Sequence, residues 1–207
     1  MPDKINLTLR HKALFNPSAK EPCIVDVPEF RFLCLEGCGN PATDPIYADI
    51  LSALYSVAYA LKFAVKKQLG INYAVMPLEG LWWMADGSIV SDENKDHWSW
   101  TMMIQQPEWV TSDLLDLVLP DVRKKKYLTH LDEVRLEPFH EGLSVQLLHP
   151  GPYIAEHENI MRMHEYAYQQ GYVLRGKHHE VYLNDPRLTA PERLKTILRQ
   201  PIALPAA

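Results

Sequence analysis

The sequence has few cysteines and no long apolar run, and both shortages exclude classes of protein to which it could otherwise belong. Its three cysteines, Cys23, Cys34 and Cys38, form no CxxC pair, which argues against a disulfide framework or a structural zinc site. The longest uncharged, apolar-rich stretch, Ile50 to Leu61, has 12 residues, whereas a membrane span needs ~20. The N-terminus, MPDKINLTLRHK, lacks the apolar segment of a secretory signal. We therefore expect a cytoplasmic protein without a membrane partner.

Basic residues are in the minority. The 207 residues include 21 Lys and Arg against 26 Asp and Glu, a net charge of -5. Such a surface repels phosphate backbones on average, so we do not expect nucleic acid as a partner. The basic run from Arg123 to Lys126 is interpreted as a solvated face, because four charges are too few for a nucleic-acid groove.

No familiar catalytic or metal-binding signature is complete. The segment from Gly171 to His178 matches GxxxxGK but ends in His, where Ser or Thr should bind magnesium. His164-Glu165 lacks the second histidine of HExxH. The adjacent His178 and His179 point to opposite faces if they lie on a strand. We expect no metal and no cofactor, because no compact ligand cluster is present.

Apolar periodicity and Gly/Pro punctuation predict a mixture of helices and strands. Predicted helices cover about Tyr47 to Leu69, before Gly70, and residues 154–170, before Gly171. The predicted strands are Phe30 to Leu35, Tyr73 to Met84, Trp98 to Gln105, Gly142 to His149, Tyr172 to Leu183 and Lys195 to Arg199.

The order strand, helix, strand, strand occurs twice, which predicts an internal duplication. Gly70 precedes Glu79 by nine residues, and Gly171 precedes Glu180 by nine. We predict an α+β fold of duplicated β-α-β-β units, related by a pseudo-twofold, with a ligand cleft between them. The predicted organisation is an N-terminal arm (1–24) and one domain (25–207) with repeats at about 25–110 and 134–203.

Five tryptophans fall within 28 consecutive residues: Trp82, Trp83, Trp98, Trp100 and Trp109. Any single one of these rings is best explained as core filling. Five rings on neighbouring strands favour an aromatic wall in a binding cleft instead. Both interpretations stay open from the sequence alone.

Glu180 and Tyr182 lie two residues apart in HHEVYLNDP, so they share one face of a strand. The duplication places Glu79 on the same cleft. A carboxylate among aromatic rings is dehydrated, which favours a role as a base, and a phenol can donate a hydrogen bond to developing negative charge. The alternative is a glutamate at a strand end, exposed or salt-bridged to Lys177 or Arg187.

Five segments resemble the GyrI-like small-molecule-binding family, and more narrowly its stand-alone subfamily of about this length. They are PLEGLWW (77–83), WSWTMMIQQP (98–107), VQLLHPGPY (145–153), HHEVYLNDP (178–186) and KTILRQP (195–201). The resemblance implies a duplicated β-α-β-β fold with a ligand cleft. Related domains bind bulky aromatic or cationic drugs in transcription regulators, a role not expected here because no helix-turn-helix region is evident. Some stand-alone members are cyclopropanoid cyclopropyl hydrolases, which open the strained ring of yatakemycin-type DNA alkylators in an aromatic cage.

Carried over by position, the resemblance implies Glu180 as the acidic group and Tyr182 as its phenolic neighbour. The implied lining residues are Glu79, Trp83, Trp100, Tyr55, Met102 and Tyr153. Water would attack the activated cyclopropane carbon, with Glu180 orienting or deprotonating it. The leading hypothesis is thus a detoxifying hydrolase for hydrophobic aromatic xenobiotics. The alternative is a non-catalytic drug-binding or sequestering protein, and an interaction protein ranks last; the oligomeric state is left open.

Overall fold

A computed structural model describes residues 4–86 and 92–206, which divide into two compact units. Unit 1 comprises Met1–Arg10, Phe30–Met76 and Trp83–Phe139, and unit 2 comprises His11–Glu29, Pro77–Trp82 and His140–Ala207. Residues 1–3 of the predicted N-terminal arm lie outside the described residues. Each unit mixes helices and strands, as expected for an α+β fold.

The elements follow one another in a mixed order along the chain. The helices are α1 (Lys12–Phe15), α2 (Pro45–Leu69), α3 (Ser112–Lys125) and α4 (Glu156–Gln169). The strands are β1 (Cys23–Cys38), β2 (Leu78–Met84), β3 (Trp98–Gln106), β4 (Arg135–Pro150), β5 (Val173–Leu174), β6 (His178–Tyr182) and β7 (Lys195–Ala203). Short 3-10 turns occupy Leu7–Leu9, Asp92–His97, Leu131–Glu133, Tyr153–Ala155 and Pro191–Arg193.

Helix α2, in unit 1, begins and ends close to the predicted residues. Asp44 caps its N-terminus by accepting a hydrogen bond from the Ile46 amide, and Gly70 ends it with a φ of 70°. Its buried residues recur at helical spacing: Ile50, Ala53, Leu54, Val57, Ala58, Leu61 and Val65. By length and composition alone α2 could cross a membrane. Seven buried apolar residues are equally typical of a core helix.

Helix α3 packs against α2 and was not predicted from the sequence. Its N-cap is Thr111, whose side chain accepts a hydrogen bond from the Leu114 amide. Four apolar residues are buried along one side: Leu114, Leu115, Val118 and Val122. Pro120 inside the helix obscured this periodicity, because proline usually marks a helix end. The basic run that we interpreted as a solvated face begins in the last turn of α3 and is exposed.

The strands also differ from their predicted extents. β1 and β4 each have 16 residues and begin earlier than predicted, with Pro28 and Pro138 inside them. The segment predicted as one strand, Tyr172 to Leu183, is split into β5 and β6. Gly176 has a φ of 62° between them, a left-handed conformation that interrupts an extended chain.

The sheet of unit 2 carries α4 on one face. β6 pairs antiparallel with both β2 and β7, and β7 also pairs with β4 and β5. Residues from α4, β4 and β7 form one buried cluster: Val145, Leu147, Met163, Ala167, Leu198 and Ile202. Leu198 is the cross-strand partner of Glu180. Because partners point to the same face, α4 lies on the face of the sheet that carries Glu180.

Candidate functional site

Strand β6 divides its side chains between two environments. His178, Glu180 and Tyr182 point to the face under α4, and His179 and Val181 point to the opposite face. The prediction that His178 and His179 face opposite ways is therefore confirmed. We call the first side the Glu180 face and the second the His179 face.

A hydrogen-bonded chain of three side chains runs across the Glu180 face. Trp82 Nε1, on β2, donates to the Tyr182 hydroxyl over 3.1 Å, and that hydroxyl donates to Glu180 Oε2 over 2.6 Å. The short second bond is typical of a hydroxyl donating to a charged carboxylate. Oε1, the other oxygen of Glu180, lies 3.3 Å from His178 Nε2. Arg187, a salt-bridge partner in the sequence alternative, pairs with Asp185.

Aromatic rings border this carboxylate without closing it off. The rings of Tyr153 and Tyr182 meet edge to face, with centroids 5.6 Å apart. Tyr153 is 39% exposed, and the Glu180 side chain is 14% exposed. Both side chains therefore retain solvent-accessible atoms.

Two histidines add polar atoms to the Glu180 face. His164 is buried on α4, and burial, reinforced by His178 and His157, lowers its pKa to about 4, so it is neutral near pH 7. His164 Nε2 and both ring nitrogens of His178 are buried, and none has a hydrogen-bond partner within the described residues. No group of three potential metal ligands occurs in residues 4–86 and 92–206.

The His179 face carries a buried ionic network instead. His179 Nε2 lies 3.0 Å from Glu79 Oε2, and His179 Nδ1 lies 3.0 Å from Glu141 Oε2. Burial lowers the pKa of His179, but Glu141 and then Glu79 outweigh that effect and raise it to about 9. His179 is therefore an imidazolium that donates a hydrogen bond to each carboxylate.

Arg199 on β7 completes this network. Its Nη1 donates to Glu141 Oε2 over 3.2 Å, and its Nη2 donates to the Leu14 carbonyl over 3.0 Å. Burial raises the pKa of Glu141, but the cations His179 and Arg199 outweigh burial and hold it below its usual value. Two buried cations thus face two buried carboxylates, and the network also fixes the chain at α1.

Glu79 does not share a face with Glu180, so that expectation is wrong. Glu79 is the cross-strand partner of Val181, whereas Glu180 is the partner of Gly80. Cross-strand partners point to the same side, which places Glu79 on the His179 face. Equal spacing from Gly70 and Gly171 therefore does not put the two glutamates in equivalent positions.

The other residues expected to line the cleft lie in unit 1. Trp100 is fully buried, donates a hydrogen bond from Nε1 to the Gly39 carbonyl, and meets Tyr47 edge to face. Its ring lies so close to Gly37 that any Cβ there would clash. Met102 is also fully buried, which favours the core interpretation for both residues. Tyr55 and Trp83, by contrast, are half-buried.

Comparisons with known proteins place the chain in a family. The sequence profile of the GyrI-like small molecule binding domain matches residues 20–203. The chain belongs to this family. It is thus a small-molecule-binding domain of the GyrI-like type, as its sequence resemblance implied. A search among curated proteins found no match.

Two solved structures from Listeria innocua resemble this GyrI-like chain over nearly its whole length. An uncharacterized conserved protein is 34% identical, with a TM-score of 0.89, and covers 97% of this chain and 100% of its own. A protein described as a hydrolase is 33% identical, with a TM-score of 0.84 and the same coverage. The EcmrR C-terminal domain shares the fold alone, at 10% identity and a TM-score of 0.56, covering 89% of this chain and 98% of its own.

Sequence reasoning missed several residues around Glu180 and His179. His178 could have been found, because alternation in HHEVY puts it on the same side as Glu180. Trp82 could not, because its bond to Tyr182 depends on the pairing of β2 with β6, 100 residues apart in the chain.

Proposed function

We propose that this protein binds bulky aromatic small molecules at the Glu180 face and hydrolyses electrophilic, cyclopropane-bearing xenobiotics, as a detoxifying enzyme. The observation that carries this proposal is the hydrogen-bonded chain from Trp82 through Tyr182 to Glu180. It orients a carboxylate that is 14% exposed, next to Tyr182, whose ring meets the exposed ring of Tyr153. The similarity to a Listeria innocua protein described as a hydrolase supports it.

Glu180 would act on water through its Oε1 atom. Oε2 already accepts a hydrogen bond from the Tyr182 hydroxyl, so Oε1 is the oxygen left to accept a proton from water. The water oxygen bonds to the ring carbon, and the strained carbon–carbon bond breaks. Its electron pair passes into the conjugated ketone of the substrate, which becomes a phenolate and takes up a proton. The net reaction is the addition of one water.

Tyr182 would serve two successive purposes in this scheme. In the structure its hydroxyl donates to Glu180 and accepts from Trp82. Once Glu180 has gained a proton from water, the phenol can turn its own hydrogen toward charge on the substrate. Tyr153, in the same unit, is the proposed ring contact for the ligand.

The proposal also covers the origin of the fold by duplication, the cellular compartment and the class of partner. We propose that β1-α2-β2-β3 and β4-α4-β6-β7 derive from one duplicated unit, which their shared order supports. The few unclustered cysteines support action in a reducing cytoplasm. The negative net charge favours small molecules over nucleic acid as partners.

The test is to incubate the pure protein with a cyclopropane-bearing alkylator and follow the product by mass spectrometry. We expect a gain of one water at a rate well above that in buffer or with heat-denatured protein. Binding of the alkylator without an accelerated gain of water would contradict the enzyme proposal.

Binding of the alkylator without hydrolysis would favour the drug-binding or sequestering alternative. One observation supports this alternative specifically. A negatively charged carboxylate bordered by Tyr153 and Tyr182 also suits an aromatic cation, because ring faces and the carboxylate both attract positive charge.

A further inference from the structure

The two histidines of β6 differ in how their ring nitrogens are satisfied. Both nitrogens of His179 lie within hydrogen-bond distance of carboxylates. Both nitrogens of His178, and Nε2 of His164, are buried without a hydrogen-bond partner in the described part of the chain. Buried polar atoms in folded proteins nearly always bond to protein or to ordered water. The partners of these three nitrogens therefore lie outside the described residues, and ordered water is the commonest such partner.

The position of His178 indicates what such a partner would do. Its Nε2 lies 3.3 Å from Glu180 Oε1, yet the two atoms make no hydrogen bond. Oε1 is the oxygen that Tyr182 leaves available. A ring nitrogen and a carboxylate oxygen side by side offer one water a donor and an acceptor, and a buried water needs two to four polar partners.

We propose that His178 Nε2 and Glu180 Oε1 together hold the water that attacks the substrate, which makes His178 a positioning residue for hydrolysis. Its role in turnover rests on the proposed function, whereas the water position does not. The His178 N–H donates to the water oxygen, and the water donates one hydrogen to Oε1. A lone pair of the water oxygen is then free to form the bond to the ring carbon while the proton passes to Glu180.

Side chains from three elements lie around His178. Glu180 faces it along β6, Trp82 is its cross-strand partner on β2, and His164 approaches it from α4. His164 is neutral near pH 7 because burial and the nearby histidines lower its pKa to about 4. It is thus an uncharged polar group in the neighbourhood of His178.

The water position is tested first, by a crystal structure at a resolution that shows ordered water. We expect a water within hydrogen-bond distance of both His178 Nε2 and Glu180 Oε1. Electron density with no water bridging these two atoms would overturn the inference, whatever the activity of the protein.

The role in turnover is tested with His178→Phe, which keeps a ring but removes both nitrogens. We expect the single-turnover rate to fall ~10-fold or more, toward the range of a lost acid–base group, while ligand affinity changes less than about twofold. His178→Gln, whose amide can donate to the water, should recover part of the rate. The matched control is His140→Asn, an exposed histidine on β4, which should leave the rate unchanged.

A His178→Phe rate equal to that of the wild type, or an equal loss in His140→Asn, would overturn the positioning role. Failure of the proposed function looks different. The wild type itself would then add no water to the alkylator, and the crystallographic water alone would decide the inference.

Discussion

His178 and His179 are neighbours on β6, yet their side chains enter opposite environments. His179 is buried among Glu79, Glu141 and Arg199, where every charge has an opposite charge within 3.2 Å. His178 lies beside a partly exposed glutamate, and neither of its ring nitrogens has a hydrogen-bond partner among the described residues. The comparison separates a face that stabilises the fold from a face that is left able to bind something else.

Charge neutrality explains why so polar a cluster can be buried. Transferring a single charge out of water costs several kcal/mol, and the cost is offset only when opposite charges and hydrogen bonds compensate it. The His179 face meets this condition with two cations and two carboxylates. The Glu180 face has one carboxylate held by Tyr182, so its remaining polar atoms are available to a ligand or water.

The largest expected effect comes from breaking the buried network. Glu141→Ala leaves His179 and Arg199 with one carboxylate between them, and removing one partner of a buried ion pair costs about 3–5 kcal/mol. Chemical denaturation measures the free energy of unfolding. Glu180→Gln, on the other face, is the control and should lose less than about 1 kcal/mol, in the range of one hydrogen bond. Equal losses in the two variants would contradict the division between the faces.

The contributions of the two faces to stability should also be lost at opposite ends of the pH range. The pKa of His179 is raised to about 9 in the folded state. The stability that His179 contributes to the folded state is therefore complete below its unfolded-state pKa of about 6.5. That stability is lost as pH rises through about 9. The pKa of His164 is lowered to about 4, so its contribution is complete above about 6.5 and is lost as pH falls toward 4. Denaturation across this range is the measurement.

Two variants identify which histidine causes each part of the dependence of stability on pH. His164→Gln should flatten the slope between about pH 4 and 6.5, and His179→Gln should flatten the slope toward pH 9. An alkaline slope that persists in His179→Gln would show that another group causes it.

A smaller effect is expected from Tyr182→Phe. The substitution keeps the ring against Tyr153 but removes the hydrogen bond to Glu180 and the one from Trp82. We expect the single-turnover rate to fall ~10-fold, since one or two hydrogen bonds are lost and the carboxylate remains. A loss as large as that of Glu180→Gln would indicate that the phenol, and not the carboxylate, is the main acid–base group.

The smallest effect should come from the exposed ring. Tyr153→Ala removes a partly exposed aromatic contact, typically about 0.5–1.5 kcal/mol. We expect a flat aromatic ligand to bind up to about tenfold more weakly, measured by quenching of tryptophan fluorescence. Tyr168→Ala, an exposed tyrosine on α4, is the matched control. Unchanged affinity in Tyr153→Ala would remove this ring from the binding surface.

Local patterns were sufficient to predict the elements whose signals are local. Gly70 marks the end of α2, and alternation in HHEVY assigns Glu180 and Tyr182 to one side and His179 to the other. The duplication argument failed at Glu79 because spacing along the chain does not specify strand register. A shift of one residue moves a side chain to the opposite face.

The buried network was beyond sequence reasoning for a related reason. His179 meets Glu141 from 38 residues away and Glu79 from 100 residues away. Local sequence periodicity does not extend over separations of that length, so it could not predict these contacts. The role of Trp100 likewise depends on its close approach to Gly37 in the paired strand, which the sequence shows only as a glycine near a turn.

The most direct test of the account compares two glutamates of unit 2, Glu180→Gln and Glu79→Gln. Ligand affinity and single-turnover rate would be measured on both, per folded molecule. The account predicts that Glu180→Gln lowers the rate ~10²-fold or more with little loss of affinity. Glu79→Gln should lower stability and leave the rate unchanged. A Glu180→Gln rate equal to that of the wild type, or an equal loss in both variants, would contradict the assignment of chemistry to the Glu180 face.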